Sequence, residues 1–228
     1  MAVRFSAAGQ FYTTPMVLGE IDRFSITMWV KVVVDRNDYS TLWCLDDGTP
    51  NSGSYTLLQA EVDGVSLTMY PSGDGYGELP VGAWHYVGFS MSPSGTVVKT
   101  RTQGAGAFTT TSRSFATTVD AQLLRLGVSS FSNNAEWLNG SLASVKVWTG
   151  AALTAAELET EYLYAAPART ANLRAFYRFD SPSNADNSGN GHTLSGGSGA
   201  TTEAGPTGLI EPGGGSMVVR GWGSLPVR

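Results

Sequence analysis

The chain has 228 residues, 42% of them hydrophobic and only 14% charged, enough for one large domain with a single packed core and a surface rich in Ser, Thr, Gly and Asn. A net charge of −5 with scattered Lys and Arg disfavours nucleic-acid binding, and recurring aromatic and β-branched residues exclude disorder of the main body. No stretch approaches the roughly 20 apolar residues that a membrane span needs.

Residues 1–15 carry Arg4 but no apolar run after it, so no secretory signal is expected there. The first strong element is FSITMWVKV, where Phe24, Ile26, Met28, Val30 and Val32 alternate with Ser25, Thr27, Trp29 and Lys31. Period-two spacing puts the first set on one face of a strand. Further β-rich runs follow at 40–45, 55–60, 65–70, 84–91, 96–102, 123–128, 141–148 and 173–179. Turn dipeptides separate them: Asp47-Gly48, Asp63-Gly64, Ser94-Gly95, Asn139-Gly140 and Asn190-Gly191. Many short strands with Gly-rich turns predict an all-β sandwich and not βαβ units.

One helix interrupts the pattern. Thr154 and Glu157 have capping-box spacing, with Leu153 and Leu158 placed as a hydrophobic staple. Pro167 limits the helix to roughly 155–165. Its Glu157, Glu159 and Glu161 are expected to face solvent. From about residue 196 the composition turns to Gly, Ser and Pro with small apolar islands, which reads as an extended tail over 197–228. Either its own domain or a neighbouring subunit would have to hold it.

Taken in order, several segments resemble laminin-G-like domains of the concanavalin A-like lectin/glucanase superfamily. They are FSITMWVKV (24–32), GAWHYVGFSMSPSGTV (82–97), LRLG (124–127), LNGSLASVKVW (138–148), ALTAAEL (152–158) and FYRFDSPSNADNSGNGHTLSG (176–196). The resemblance spans residues 24–196 and implies a jelly roll of two antiparallel sheets; together with the helix and the composition it gives a domain over 1–196 and a C-terminal tail over 197–228. It implies nothing about a ligand, because domains of this kind bind sugars, proteins or nothing known.

Glycanases on this fold set their carboxylates in an E-x-D-x-x-E strand. The nearest match, Glu61-Val62-Asp63, lacks the final Glu and runs into a turn dipeptide. The two histidines, His85 and His192, have no metal or relay spacing, and Cys44 between Trp43 and Leu45 reads as a buried small hydrophobe. Catalysis is not expected. Sugar binding needs aromatic faces beside Asp and Asn side chains. Two loops offer them: Asp74, Tyr76 and Glu78 in 72–80, and Asn133, Asn134, Glu136 and Trp137 in 129–140. The alternative is a pair of solvated hairpin loops, with Trp137 packed on its own strand. Calcium would take six to eight oxygens. The oxygen clusters are Asp46, Asp47 and Asn51, and then Asp180, Asp186 and Asn187, unless these are ordinary turn residues. Trp29, Trp84 and Trp148 are assigned to the core.

The expected function is therefore that of a non-catalytic, lectin-like surface protein of a phage virion (capsid or tail) recognising a glycan or cell-surface polymer. It would be made in the cytoplasm, with residues 205–228 contacting other virion or assembly subunits. The alternatives are a decoration protein without a ligand, a secreted protein whose signal was removed and, remotely, a glycanase.

Overall fold

The computed structural model describes residues 1–33, 39–49, 55–60, 66–130, 136–179 and 184–211. In chain order its elements are β1 (Ala2–Phe5), β2 (Tyr12–Pro15), β3 (Glu20–Ile21), β4 (Phe24–Val32), β5 (Ser40–Asp46), β6 (Tyr55–Ala60), β7 (Ser66–Tyr70), β8 (Asp74–Glu78) and β9 (His85–Ser92). They continue with β10 (Gly95–Thr102), β11 (Thr109–Arg113), β12 (Val119–Asp120), β13 (Leu123–Leu126), β14 (Gly140–Thr149), α1 (Ala155–Leu163), β15 (Leu173–Tyr177), β16 (Ser195–Gly196) and β17 (Thr201–Glu203).

Two large antiparallel sheets form the expected sandwich. The eight-stranded sheet runs β11-β10-β9-β4-β14-β1-β17, with β15 pairing β14 beside β1. The seven-stranded sheet runs β16-β2-β13-β5-β6-β7-β8, and β3 and β12 form a separate ribbon. The alternation read in β4 holds: Phe24, Ile26, Met28, Val30 and Val32 all enter the core between the sheets. They meet Trp43, Leu45, Leu58, Met69 and Leu126 from the opposing sheet. At the start of β14, Gly140 brings its backbone so close to the Lys31 carbonyl that any Cβ would collide with it.

The eight-stranded sheet is apolar on its outer face as well. Trp29, Trp84, Tyr86 and Ala143 cluster there with Ala2, Phe108, Tyr162 and Leu209, while Trp148 packs with Leu153 and Leu158. Trp29, Trp84 and Trp148 are thus buried as expected, but beneath the helix and not between the sheets. Helix α1 covers this face with the expected capping box complete: Thr154 N donates to Glu157 Oε2 (2.8 Å), and Glu157 N donates to Thr154 Oγ1 (3.3 Å).

One expectation for the helix fails. Glu161 does not face solvent but is 1% exposed and ion-paired at 2.8 Å with Lys146 of β14, itself 1% exposed. Lys146 Nζ also donates to the carbonyls of Glu161 and Tyr164, and the Glu161 carboxylate accepts from Ala168 N and Arg169 N. Burial pulls the Lys146 ammonium below its ordinary value, and the Glu161 charge opposes this. Glu157 and Glu159 are also engaged, with Arg169 and Lys99.

The chain beyond residue 196 is held by its own domain as far as 211. β17 pairs antiparallel with β1, and Lys31 Nζ lies 2.6 Å from Glu203 Oε1. Gln103 Nε2 donates to the Thr207 carbonyl, Ile210 N to the Leu163 carbonyl, and Arg178 pairs with Glu211. Within the stretch expected to reach other subunits, Thr207, Leu209, Ile210 and Glu211 contact their own domain, while Ile210 stays exposed. Residues 212–228 lie outside the described residues.

Removing the Glu161 carboxylate leaves Lys146 charged and buried without its partner. Glu161→Ala is expected to cost about 3–5 kcal/mol in urea unfolding, and Lys146→Met in the same chain to recover most of it. A second prediction concerns His85, 1% exposed. Its Nε2–H donates to the Pro80 carbonyl (2.8 Å), which leaves Nδ1 to accept from Thr102 (3.1 Å). Burial lowers its pKa, with the Pro80 bond acting the other way. The unfolded state then binds the extra proton first. Stability is full above the unfolded-state value near 6.5 and falls as pH drops through it towards the lower folded-state value. Unfolding titrations should give a steeper loss below that pH than the same series on His85→Gln.

Candidate functional site

Residues on the inner face of the seven-stranded sheet are core, so their neighbours in each strand point to its outer face. Strand register arranges these outward residues in rows. Thr41, Gln59 and Thr68 form one; Arg125, Cys44, Leu57 and Tyr70 form the next; Leu123, Asp46 and Tyr55 form the third. Tyr39 enters from the chain before β5 and meets Tyr70 edge-on, with ring centroids 6.4 Å apart.

Three half-buried tyrosines thus rise around a polar floor. Tyr39, Tyr55 and Tyr70 keep part of each ring in solvent, whereas Thr41, Gln59 and Thr68 are buried. Among the described residues Gln59 Oε1 and Thr41 Oγ1 have no hydrogen-bond partner, an unusual state for buried polar atoms. Burial raises the Tyr55 phenol, assisted by the nearby Cys44 and Glu136. Ser130 and Glu136, from either end of the β13–β14 connection, line the same side: Ser130 Oγ is 3.5 Å from Cys44 Sγ. Burial also pushes the Cys44 thiol up to about 12, which keeps it protonated, and the residue is buried as expected.

The sugar-binding residues read from the sequence are placed differently. Tyr76 is 1% exposed and belongs to the core between the sheets, so it offers no ring face to a sugar. The reason is that 74–78 is not a loop but strand β8, whose alternation turns Tyr76 inward. Asp74 is half-buried at the start of that strand and Glu78 is exposed at its end. Trp137 is 9% exposed and bridges Val128, which matches packing on its own strand and leaves little ring for stacking. Asn133 and Asn134 lie outside the described residues.

The oxygen clusters are also occupied. Asp46 is fully buried, accepting from Arg125 Nε (2.6 Å) and from Gly48 N (2.7 Å). It is the charge partner of Arg125 and not an open cation ligand. Asp47 accepts from Thr49 N in an Asx turn, and Asn51 lies outside the described residues. Asp186 accepts from the backbone N–H groups of Phe176, Ser188 and His192. Burial alone would raise its pKa, but these bonds outweigh it and lower the pKa. Asp186 thus organises a turn. Asp180 is outside the described residues, and among those described no three His, Cys, Asp or Glu side chains are grouped to hold a metal.

Two cavities lie elsewhere. One of about 230 Å³ is lined by Met1, Ala143, Ser144, Arg178, Leu209 and Glu211. The other, about 490 Å³, lies among Arg23, Ser92, Ser94, Gly150, Ala152 and Arg169. Neither brings an aromatic ring beside free amide and hydroxyl groups, so the tyrosine-lined face is the stronger site.

Asp46→Ala should strand Arg125 and cost about 3–5 kcal/mol in denaturant unfolding. Asp47→Ala removes only an exposed turn bond and should cost about 1 kcal/mol or less. Adding calcium or a chelator to the unmodified chain should leave its thermal midpoint where it was, since the Asp46 oxygens are already used.

Comparison with known proteins bears on the fold. No curated protein matches the chain. Among solved structures, the native heptameric SAP-like pentraxin from Limulus polyphemus is 15% identical and superimposes with a TM-score of 0.52 over 70% of this chain and 80% of the pentraxin. A Trypanosoma rangeli sialidase in complex with the inhibitor DANA is 13% identical with a TM-score of 0.50; the match covers 72% of this chain but 27% of the sialidase. The CBM40 of a Ruminococcus gnavus IT-sialidase, bound to α2,3 sialyllactose, is 15% identical with a TM-score of 0.48, covering 70% of this chain and 94% of that domain. At such identities the likeness is one of fold. In sequence, residues 6–159 match the laminin G family of this fold, and the chain belongs to the concanavalin A-like lectin/glucanases superfamily.

Proposed function

We propose that this chain is a non-catalytic, lectin-like module that binds glycan on the outer face of its seven-stranded sheet. The observation that carries this reading is the set of half-buried rings of Tyr39, Tyr55 and Tyr70 around the row of Thr41, Gln59 and Thr68, in which Thr41 Oγ1 and Gln59 Oε1 have no partner among the described residues. Pyranose rings present apolar C–H faces and a fringe of hydroxyls, which pair with aromatic faces and with amide or hydroxyl acceptors. Superfamily membership supports the ligand class. The use of Asp46 by Arg125, and of Glu157, Glu159 and Glu161 by cations of the fold, supports a binding role over hydrolysis, which needs two carboxyls about 5–9.5 Å apart across a cleft.

A single site of this size binds at around millimolar, or about −4 kcal/mol, so useful adhesion needs many copies. We place those copies on the surface of a virus particle, where assembly supplies the multiplicity. The sole cysteine, buried and reduced, suits a protein assembled in a reducing cytosol.

Beads carrying many copies should be retained on a subset of a glycan array. Tyr70→Ala and Tyr39→Ala should each cut that retention about tenfold, equivalent to 1.4 kcal/mol, with thermal midpoints close to the parent. Incubation with the retained polysaccharide should release no new reducing ends. Silence across the array, or equal retention by the tyrosine variants, would remove the basis for the reading; released reducing ends would make the chain a glycanase.

A further inference from the structure

The edges of the two sheets are not treated alike. At one end, β8 is shielded by side chains of β11: Arg113 Nη2 donates to the Gly75 carbonyl (2.9 Å), Thr111 Oγ1 to the Tyr76 carbonyl (3.4 Å), and the Arg113 guanidinium lies 5.8 Å from the Tyr76 ring centroid. At the other end, β16 has only two residues and β17 only three, beside the Lys31–Glu203 pair. β11 is different. Its five residues, Thr-Thr-Thr-Ser-Arg, pair with β10 in unbroken register along one side. Among the described residues nothing pairs with the other side, and Thr109, Thr110, Ser112 and Arg113 are exposed.

Edge strands that stay single are normally blunted by lysine, proline, a bulge or extreme shortness, because a bare row of N–H and C=O groups templates further pairing. β11 has no lysine, proline or bulge, its one charge, Arg113, bonds to the Gly75 carbonyl of β8, and its threonines are good strand formers. We propose that β11 is a self-association edge, pairing antiparallel with β11 of a second copy about a twofold axis at Thr111.

The sequence fits that register and disfavours others. Centred on Thr111, all five residues find a partner: Thr109 meets the partner's Arg113, Thr110 the partner's Ser112, and Thr111 the partner's Thr111. No like charges then face each other, and the two Arg113 side chains sit at opposite ends, about 14 Å apart along the strands. Each shift that moves the centre towards Arg113 loses pairs and brings the guanidinium groups together. The interface is isologous, as a closed dimer requires. It joins the two eight-stranded sheets into one continuous sheet and leaves both tyrosine-lined faces, on the other sheet, uncovered. It does not depend on what those faces bind.

A cysteine test separates this pairing from any other. Directly opposed residues in an antiparallel pair have Cα atoms about 4.5–5.5 Å apart, within disulfide range, whereas the two copies of residue 109 would be about 14 Å apart. The native Cys44 is buried and supplies no background. Under mild oxidation Thr111→Cys should give a covalent dimer, at least about tenfold more than Thr109→Cys. In sedimentation, the unmodified chain should shift from the mass of one chain towards that of two as concentration rises. The double variant Thr110→Lys/Ser112→Lys, at exposed positions, should stay monomeric with an unchanged thermal midpoint. The proposal is overturned if the unmodified chain stays monomeric throughout the series, if residues 109 and 111 crosslink equally, or if the lysine variant still dimerises.

Discussion

The constraint on which the rest of this structure depends is that its larger sheet is apolar on both faces. β4, β9 and β14 send Phe24, Phe89 and Val145 inward, and Trp29, Tyr86 and Trp148 outward. The second sheet covers the inner set. The outer set requires a separate roof, supplied by α1 and by the chain returning through Leu209 and Ile210. Two polar contacts fix the roof in place: Tyr86 OH donates to the Leu158 carbonyl (2.6 Å), and Lys146 reaches up to Glu161. A buried ion pair adds little net stability, but it tolerates only one placement of the helix.

The other sheet has an outer face of a different character. The outer face of the seven-stranded sheet carries tyrosines, threonines, a glutamine and a neutralised Arg–Asp pair where the eight-stranded sheet carries tryptophans. Polarity of this kind on a sheet face is expensive unless it is satisfied or used. Arg125 and Asp46 satisfy each other, whereas Gln59 Oε1 and Thr41 Oγ1 have no partner among the described residues. The proposed glycan site rests on this asymmetry between the two sheets and not on a conspicuous cleft.

Local physics made much of this legible in the sequence. The period-two pattern of 24–32, the T-x-x-E cap and the buried Cys44 depend on neighbours a few residues away, and each is found as expected. The candidate site was less legible because it is assembled by register between distant strands: Cys44 meets Arg125 and Leu57, and Gln59 meets Thr68. A signal was present, since Tyr55, Leu57 and Gln59 alternate with inward residues, as do Ser66, Thr68 and Tyr70. Nothing in a single sequence said that these residues share one face of one sheet. Tyr76 misled because glycines on both sides mimic a loop, while the strand they permit turns the ring inward. Glu161 misled because its partner, Lys146, lies on a strand and not on the helix.

Strand β1, among the first residues of the chain, sits between β14 and β17. It therefore has no partner until residues 140–142 exist, and its far edge stays open until 201–203 arrive. On a ribosome, the larger sheet cannot close until nearly the whole domain has emerged, and the long loops involved make that closure slow. The last described strand thus serves as a latch, so truncation just before it would leave the oldest strand of the domain exposed.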